Sequence, residues 1–277
     1  MRQIYPVTGP DLEIITAAAA GPLPAAVAQL AALYGNGSSG GSSDRPWIRA
    51  NMVASADGAS ALQGRSGGLG GQADRMVFCV LRSLADVVLV GAGTARAEKY
   101  KPARRAQIWP DLRAGRPPTP AIAVVTGSLD FSDCHALLYD APEDAQTIVL
   151  TTAAAADGAG TGNAGTGNAR VVVAGEQRVD ISQAIAALVS LGYRQILTEG
   201  GPHLLGELAG AGLVDELCLT TSPILAQGSA SRIVADRRTA GHPEQPAGLV
   251  LAHVLTDAGF LLSRYVKGTP DAVARQG

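Results

Sequence analysis

Ser83-Leu84-Ala85-Asp86-Val87-Val88-Leu89-Val90-Gly91-Ala92-Gly93-Thr94-Ala95-Arg96-Ala97-Glu98 is the stretch on which the reading of this chain turns. Val87 to Val90 is a continuous apolar run, β-branched at three of its four positions. That composition suits a parallel strand covered on both faces, central in its sheet. The run stops at Gly91-Ala92-Gly93-Thr94. Glycine lets backbone approach a ligand closely, and open α/β sheets bind ligands at the carboxyl ends of their strands. Two readings stay open from this stretch alone: a cofactor or substrate turn, and a tight turn without a ligand. It is not a dinucleotide fingerprint of the G-x-G-x-x-G type, because Arg96 stands where the third glycine belongs and no strand-borne acid follows at the required distance.

Upstream, Gln72 to Leu84 reads as a helix with Val77, Val80, Leu81 and Leu84 on one face. Arg75 and Arg82 fall on its more polar side and read as surface cations. Trp47 to Ala54 reads as a strand that ends in Ser55-Ala56-Asp57-Gly58. Asp57 either caps that turn or serves the chemistry. The glycine-rich Gln63 to Gly71 segment has nothing to build a core with and suits an active-site loop. Residues 1–45 read as an appendage, with a short helix from Pro24 to Leu33 and a Gly/Ser linker from Gly35 to Asp44. The domain proper is expected over residues 46–267, with a tail over 268–277.

Downstream, Ala95 to Tyr100 opens a short helix. Residues 101–120 carry too many prolines for a long element. Strands are expected at Ala121–Thr126, Thr147–Thr151, Arg170–Ala174, Gln195–Thr198 and Asp215–Ser222, with a helix at Ser182–Leu191. Ala153 to Ala169 reads as a surface insertion. A second glycine turn, Glu199-Gly200-Gly201-Pro202, follows the Gln195–Thr198 strand and leads into a helix over His203–Ala209, whose start suits a phosphate. Leu249–Leu255 and Phe260–Lys267, separated by Asp257-Ala258-Gly259, form a C-terminal antiparallel hairpin. The sum is an α/β fold with a mostly parallel, mixed-edge central sheet flanked by helices.

Composition narrows the chemistry. At 277 residues and a formal net charge of −2, nothing implies a polyanion partner. The basic stretch 101–120 lacks aromatic interleaving, so nucleic acid is not expected. Three cysteines, Cys79, Cys134 and Cys218, are too far apart for a disulfide framework or a zinc knot, and Cys79 and Cys218 read as buried thiols. No leader sequence or membrane-length apolar run is read, so a soluble cytoplasmic protein is expected. No G-x-S-x-G stands at a strand-to-helix elbow, there is no phosphate-binding G-x-x-x-x-G-K-[ST] loop and no H-E-x-x-H, and no metal is expected. Two glycine turns at strand ends, with Thr94 and Glu199 beside them, fit a dinucleotide whose nicotinamide carries the chemistry. A nucleotide-binding module without catalysis is the competing class.

Three stretches carry a family resemblance: Asn51 to Gly58, Ala85 to Glu98, and Ile196 to Pro223. The last includes Leu197-Thr198-Glu199-Gly200-Gly201-Pro202, then Gly212-Leu213-Val214-Asp215-Glu216, then Pro223. Together they resemble the pyrimidine reductase domain of riboflavin biosynthesis, in its single-domain actinobacterial branch, from about Trp47 to Tyr265. The deaminase domain often fused to it is not expected, since no P-C-x-x-C occurs. The resemblance implies a dihydrofolate reductase-like fold, NADPH as cofactor, and a homodimer. It implies reduction of 5-amino-6-(5-phosphoribosylamino)uracil to its ribitylamino form by direct hydride transfer to an opened imine. It places Gly91, Thr94, Thr126, Glu199, Gly200 and Gly201 at the cofactor, and Asn51, Ser55 and Ser66 at the substrate. Asp57 and Glu98 are the candidate catalytic acids. Asn51 replaces a usual lysine, and Lys99-Tyr100-Lys101 replaces the usual acid–proline continuation after Glu98. These departures admit dihydrofolate reductase-like reduction of a pterin or another heterocycle as the alternative.

Overall fold

The computed structural model describes residues 1–6, 11–14, 23–35, 45–158, 166–235 and 247–268. The expected Gly/Ser linker beyond Gly35, the middle of the 153–169 insertion and nearly all of the tail lie outside the described residues.

In chain order the elements are β1 (Arg2–Tyr5), α1 (Ala25–Gly35), β2 (Trp47–Ser55), α2 (Gln72–Leu84), β3 (Val87–Gly91), α3 (Ala92–Ala97), β4 (Ala121–Val125), α4 (His135–Tyr139) and β5 (Ile148–Thr151). Then come α5 (Ala153–Gly158), β6 (Arg170–Val173), α6 (Ile181–Ser190), β7 (Gln195–Thr198), α7 (Pro202–Gly210), β8 (Glu216–Ser222), β9 (Leu249–Asp257) and β10 (Phe260–Lys267). One ten-stranded sheet runs β1-β9-β10-β8-β2-β7-β3-β4-β5-β6. Pairing is parallel from β8 through β6 and antiparallel among β1, β9, β10 and β8.

The apolar run of β3 is buried on both faces, as expected. Val88 and Val90 enter one core with Met76, Val77, Val80 and Leu81 of α2. Val87 and Leu89 enter the opposite core with Ile185 and Leu188 of α6 and Leu204 and Leu208 of α7. Successive side chains of a strand point to opposite faces, so one strand anchors both layers. Helix α6 starts at Asp180, whose carboxylate accepts hydrogen bonds from the amides of Ser182 (2.8 Å) and Gln183 (3.0 Å). The β9–β10 turn places Ala258 at φ 47° and Gly259 at φ 86°, the torsions of a two-residue type I′ hairpin.

Of the expected appendage, the described β1 and α1 are packed into the same body. β1 pairs with β9, with Arg2 opposite Thr256. Val27, Leu30, Ala31 and Tyr34 of α1 are buried in the core that contains α2. The alanine- and leucine-rich helix lacks a charged face, and burial is what such a helix requires. Helix α3 also begins earlier than expected, at Ala92, so the Gly-Ala-Gly-Thr stretch is its first turn. The proline-rich stretch forms two short 3₁₀ turns, Arg105–Gln107 and Pro110–Arg113.

Under α1 lies a buried polar cluster. Glu216 accepts from Arg49 (2.7 Å), Arg264 (2.9 Å) and the Trp47 indole (3.0 Å). Arg264 donates onward to the Leu33 carbonyl at 2.9 Å. Burial would raise the Glu216 carboxyl, but the two guanidiniums outweigh it and hold it at about 2. His253, opposite Arg264 on β9, is pushed down to about 4, first by burial and then by the Arg264 charge. A base whose folded value lies below its ordinary 6.5 binds its proton more tightly when unfolded. Stability is therefore complete above pH 6.5, falls as pH drops toward 4, and falls further from 4.5 toward 2 as Glu216 protonates. The His253 part amounts to about 3 kcal/mol, or a Tm loss on the order of 10 °C between pH 7 and 4. Thermal unfolding against pH checks this: His253→Gln should flatten that limb, and an unchanged slope would remove His253 as its source.

Candidate active site

Because β7 inserts between β2 and β3, the carboxyl ends of β2, β7, β3 and β4 come together along one rim of the sheet. The Gly91 amide donates to the Gly200 carbonyl (3.0 Å) and the Glu199 amide to the Leu89 carbonyl (3.1 Å), so the two glycine turns are stitched to each other. Gly200 sits at φ +99°, a conformation that favours glycine, and its peptide bond to Gly201 is cis. Gly201 caps α7 without a side-chain hydrogen bond and Pro202 is its first residue, which leaves first-turn amides for an anion.

Three cavities open along this rim. The main cleft, about 1330 Å³, is lined by the Ala61–Ser66 segment, by Gly93, Thr94, Ala97 and Glu98, and by Met52, Glu199 and Gly201. A second cavity of about 500 Å³ continues from it, sharing Gly93, Thr94, Gly201 and Pro202, and reaches Arg96, Thr126, Gly127 and Ser128. A third, about 280 Å³, is a side annex that shares Met52, Ser60, Ser66 and Glu199 with the main cleft and is otherwise lined by residues including Asn51, Asp74, Arg75, Phe78 and Tyr100.

The expected cofactor residues are brought together. Gly91, Thr94, Thr126 and Gly201 line the second cavity, and Thr126 Oγ1 fixes its rim by accepting from the amides of Ser128 (3.3 Å) and Leu129 (3.2 Å). Gly200 shapes the turn without lining any of the three. Glu199 lines the main cleft and the annex, but its carboxylate is already engaged. Arg82 grips it through Nε and Nη2, both at 2.7 Å, and the Tyr100 hydroxyl donates to Oε2 at 2.6 Å.

The Arg82–Glu199–Tyr100 group corrects the reading of Arg82 as a surface cation. Its guanidinium is buried, stacked on the Phe78 ring at 4.3 Å, and paired with Glu199. Burial weakens an arginine's hold on its proton, but the Glu199 charge outweighs it and keeps Arg82 charged. Burial and the same negative charge push the Tyr100 hydroxyl well above its usual range, so it remains a donor. A signal was present in the sequence: a cation inside the run Phe78-Cys79-Val80-Leu81-Arg82-Ser83-Leu84 needs a buried partner.

Among the substrate-side candidates, Asn51 lines the annex, and Ser66 lines both the annex and the main cleft. Ser55 and Asp57 are not lining residues of the three cavities. Ser55 Oγ donates to Asp57 Oδ1 (2.5 Å), and Asp57 accepts the amides of Ala226 (3.0 Å) and Gln227 (2.9 Å). The Ser55 hydroxyl, followed by the two amides, lowers the Asp57 carboxyl to about 2. The geometry therefore favours the turn-shaping reading of Asp57: it clasps the loop after β8. Glu98 lines the main cleft, where its Oε1 accepts the Ser66 amide (2.6 Å) and hydroxyl (2.9 Å).

Asp74, not singled out by its sequence position, faces the annex from the first turn of α2. Gly70 leaves it room, because a Cβ there would lie 2.5 Å from Asp74 Oδ2. Burial raises the Asp74 carboxyl above its ordinary value against the pull of the Thr220 hydroxyl and Arg75.

The sequence and fold can now be set beside known proteins. Residues 46–250 match the RibD C-terminal domain. The chain belongs to this family. A 2,5-diamino-6-ribosylamino-4(3H)-pyrimidinone 5′-phosphate reductase of Archaeoglobus fulgidus is 28% identical over 195 residues, covering 69% of this chain and 87% of the relative. The crystal structure of a pyrimidine reductase-like protein from Corynebacterium diphtheriae is 27% identical, with a TM-score of 0.69, covering 81% of this chain and 92% of that one. Acinetobacter baumannii RibD, at 20% identity and a TM-score of 0.60 over 82% of this chain and 59% of that one, shares the fold. This RibD C-terminal domain chain is thus a reductase-family protein with the α/β architecture expected of it. Among the described residues no helix is long and apolar enough to cross a membrane, and no group of three or more metal-ligating side chains is found.

Proposed function

We propose that the protein is an NADPH-dependent reductase of a 6-ribosylaminopyrimidine 5′-phosphate, the type of reaction used in riboflavin biosynthesis. The observation that carries this is the continuity of the glycine-walled trough: two cavities share Gly93, Thr94, Gly201 and Pro202, and the main cleft opens into a polar annex. Its length and its bare helix start fit an extended dinucleotide with a small heterocycle at one end. When bound, the nicotinamide supplies the hydride. The chain's own residues hold and orient, with Thr94 and Gly201 on the walls of the trough and Glu199 fixed in place by Arg82 and Tyr100.

Asp74 bears on the heterocycle. A carboxylate in a half-closed annex pairs well with an exocyclic amino group and an adjacent ring N–H, the edge of a 2-amino-4-oxo ring. A uracil presents a carbonyl oxygen in place of that amino group, which a carboxylate repels. The 2-aminopyrimidinone form is therefore preferred over the uracil form, and Arg75 beside Asp74 offers a cation for the phosphate. A pterin has the same edge, so its reduction is the second reading. Turnover of the 2-amino substrate, the uracil substrate and dihydrofolate, each with NADPH, tests the proposal. Reduction of neither pyrimidine would reject it, and reduction of dihydrofolate alone would install the second reading.

Arg96 is the cation at the cofactor-side cavity, steadied by donating to the Asp130 carbonyl at 2.8 Å. Its charge suits the phosphate that distinguishes NADPH from NADH. Arg96→Ala should raise the Kd for NADPH about tenfold, or about 1.4 kcal/mol, and leave NADH unchanged. Equal losses for both by calorimetry would assign Arg96 another role.

A homodimer is proposed as well. On one face of the C-terminal strands, register aligns Leu217 with Tyr265 and Leu251, and Leu219 with Ser263 and Val254. Leu261, 41% exposed, extends this apolar face. A second copy would cover it. Leu261→Glu should shift sedimentation from dimer to monomer, and a wild-type monomer at micromolar concentration would refute the assembly.

A further inference from the structure

We propose that Glu98 is a positioning residue: it latches the Leu62–Arg65 hairpin across the main cleft and sets how often that cleft opens. The hairpin is closed by two backbone bonds, Leu62 amide to Arg65 carbonyl (2.8 Å) and Arg65 amide to Leu62 carbonyl (3.0 Å). Its tip, Gln63 at φ 51° and Gly64 at φ 80°, has the torsions of a type I′ turn. Ala61 to Ser66 and Glu98, which come from separate elements, all line this cleft.

The two ends of this segment are anchored separately. The Ser60 amide and hydroxyl donate to the Ser231 carbonyl at 2.9 and 2.8 Å. Leu69 is fully buried. Between those anchors, Gly64 is held to the tip by its positive φ, while at Gly67, after the hairpin, a Cβ would meet open space, so that glycine supplies backbone freedom and is not demanded by packing. A short stiff hairpin on glycine-rich connections is a rigid flap with soft hinges.

Glu98 is held from the other side. It caps the C-terminal end of α3, its amide bonded to the Thr94 carbonyl at 2.9 Å. Its Oε1 takes both Ser66 donors, at 2.6 and 2.9 Å. Bonds to a carboxylate are the stronger kind, and here two of them tie Glu98 to the residue that follows the hairpin. A carboxylate so engaged holds the flap down over whatever lies beneath it. That the occupant is substrate rests on the reductase reading; the latch itself does not.

Hydrogen exchange on the full chain without ligand tests the latch directly. In Glu98→Ala the Ser66 amide should exchange at least tenfold faster, while the Ser60 amide keeps its wild-type rate. Ser66→Ala, which retains the amide bond, should accelerate exchange at that position less than Glu98→Ala does. Unaltered Ser66 exchange, or equal acceleration at Ser60 and Leu69, would overturn the proposal. If Glu98→Ala fails to fold, Glu98→Gln should show a smaller acceleration of the same sign, and none would overturn it. With the ribosylaminopyrimidine and NADPH, Glu98→Ala should raise KM at least fivefold and lower kcat far less. Collapse of kcat at unchanged KM would place Glu98 at the reacting atoms and reject the latch. Failure of the reductase reading would leave the exchange results intact, so the two can fail separately.

Discussion

Gly201→Val is expected to fold and to lose at least 100-fold in affinity for NADPH, about 2.7 kcal/mol. Gly201 has ordinary torsions (φ −75°, ψ −177°), so the backbone itself accepts a side chain. The obstacle is Thr94: a Cβ at position 201 would press on its Oγ1. Thr94 and Gly201 both line the main cleft and the second cavity, and relief of that contact should push one of them into the trough. Gly200→Ala makes the contrast. There the Cβ has ordinary room beside Met52 Cε (3.4 Å), but φ is +99°, so the cost is backbone strain of about 1–3 kcal/mol in stability. Calorimetry with NADPH, beside thermal unfolding, separates the two effects. Unchanged affinity in Gly201→Val would take the cofactor out of this trough.

Asp74→Asn should lower kcat/KM for the 2-amino substrate by about 10²–10³, or about 3–4 kcal/mol, with the NADPH Kd unchanged. The amide keeps the size and the approach of Gly70 but loses the charge that accepts two donors. Asp74 lines the annex and not the cofactor-side cavity, which is why binding and turnover should part company. Burial raises its carboxyl, so the wild-type acid limb of kcat/KM should lie above the ordinary carboxylate range, with activity lost as pH falls and the carboxylate is protonated. Asp74→Asn should abolish that limb. Equal retention of activity on the 2-amino and uracil substrates would remove Asp74 from recognition.

The parts of this molecule that were legible in its sequence are those fixed by short-range pattern. Val87–Val90 reads as a doubly covered strand because four apolar residues admit little else. The two glycine turns read as strand-end turns because each directly follows a short strand. What escaped was pairing over long separations. Nothing local to Arg82 names Glu199, 117 residues further on. Asp57 looks like a reactive acid beside a serine until the amides of Ala226 and Gln227 arrive to occupy it. Nothing local to Glu98 names Ser66, 32 residues earlier, whose amide and hydroxyl its carboxylate accepts. Residues 1–35 look detachable because a four-residue edge strand and an alanine-rich helix carry weak signals, and their partners, β9 and the α2 core, lie elsewhere in the chain.

The pairing of β1 with β9 also orders events during synthesis. Arg2 leaves the ribosome 254 residues ahead of Thr256, the residue opposite it. The parallel half of the sheet, β2 through β7, can assemble while β1 still has no strand to dock on. The Arg264 that donates to the Leu33 carbonyl beneath α1 arrives later still. Closure of this edge is thus a non-local step that follows translation of β9 and β10, and contacts of that kind are slow to form. Until then β1 lacks its strand partner, and a holding chaperone would find it unpaired.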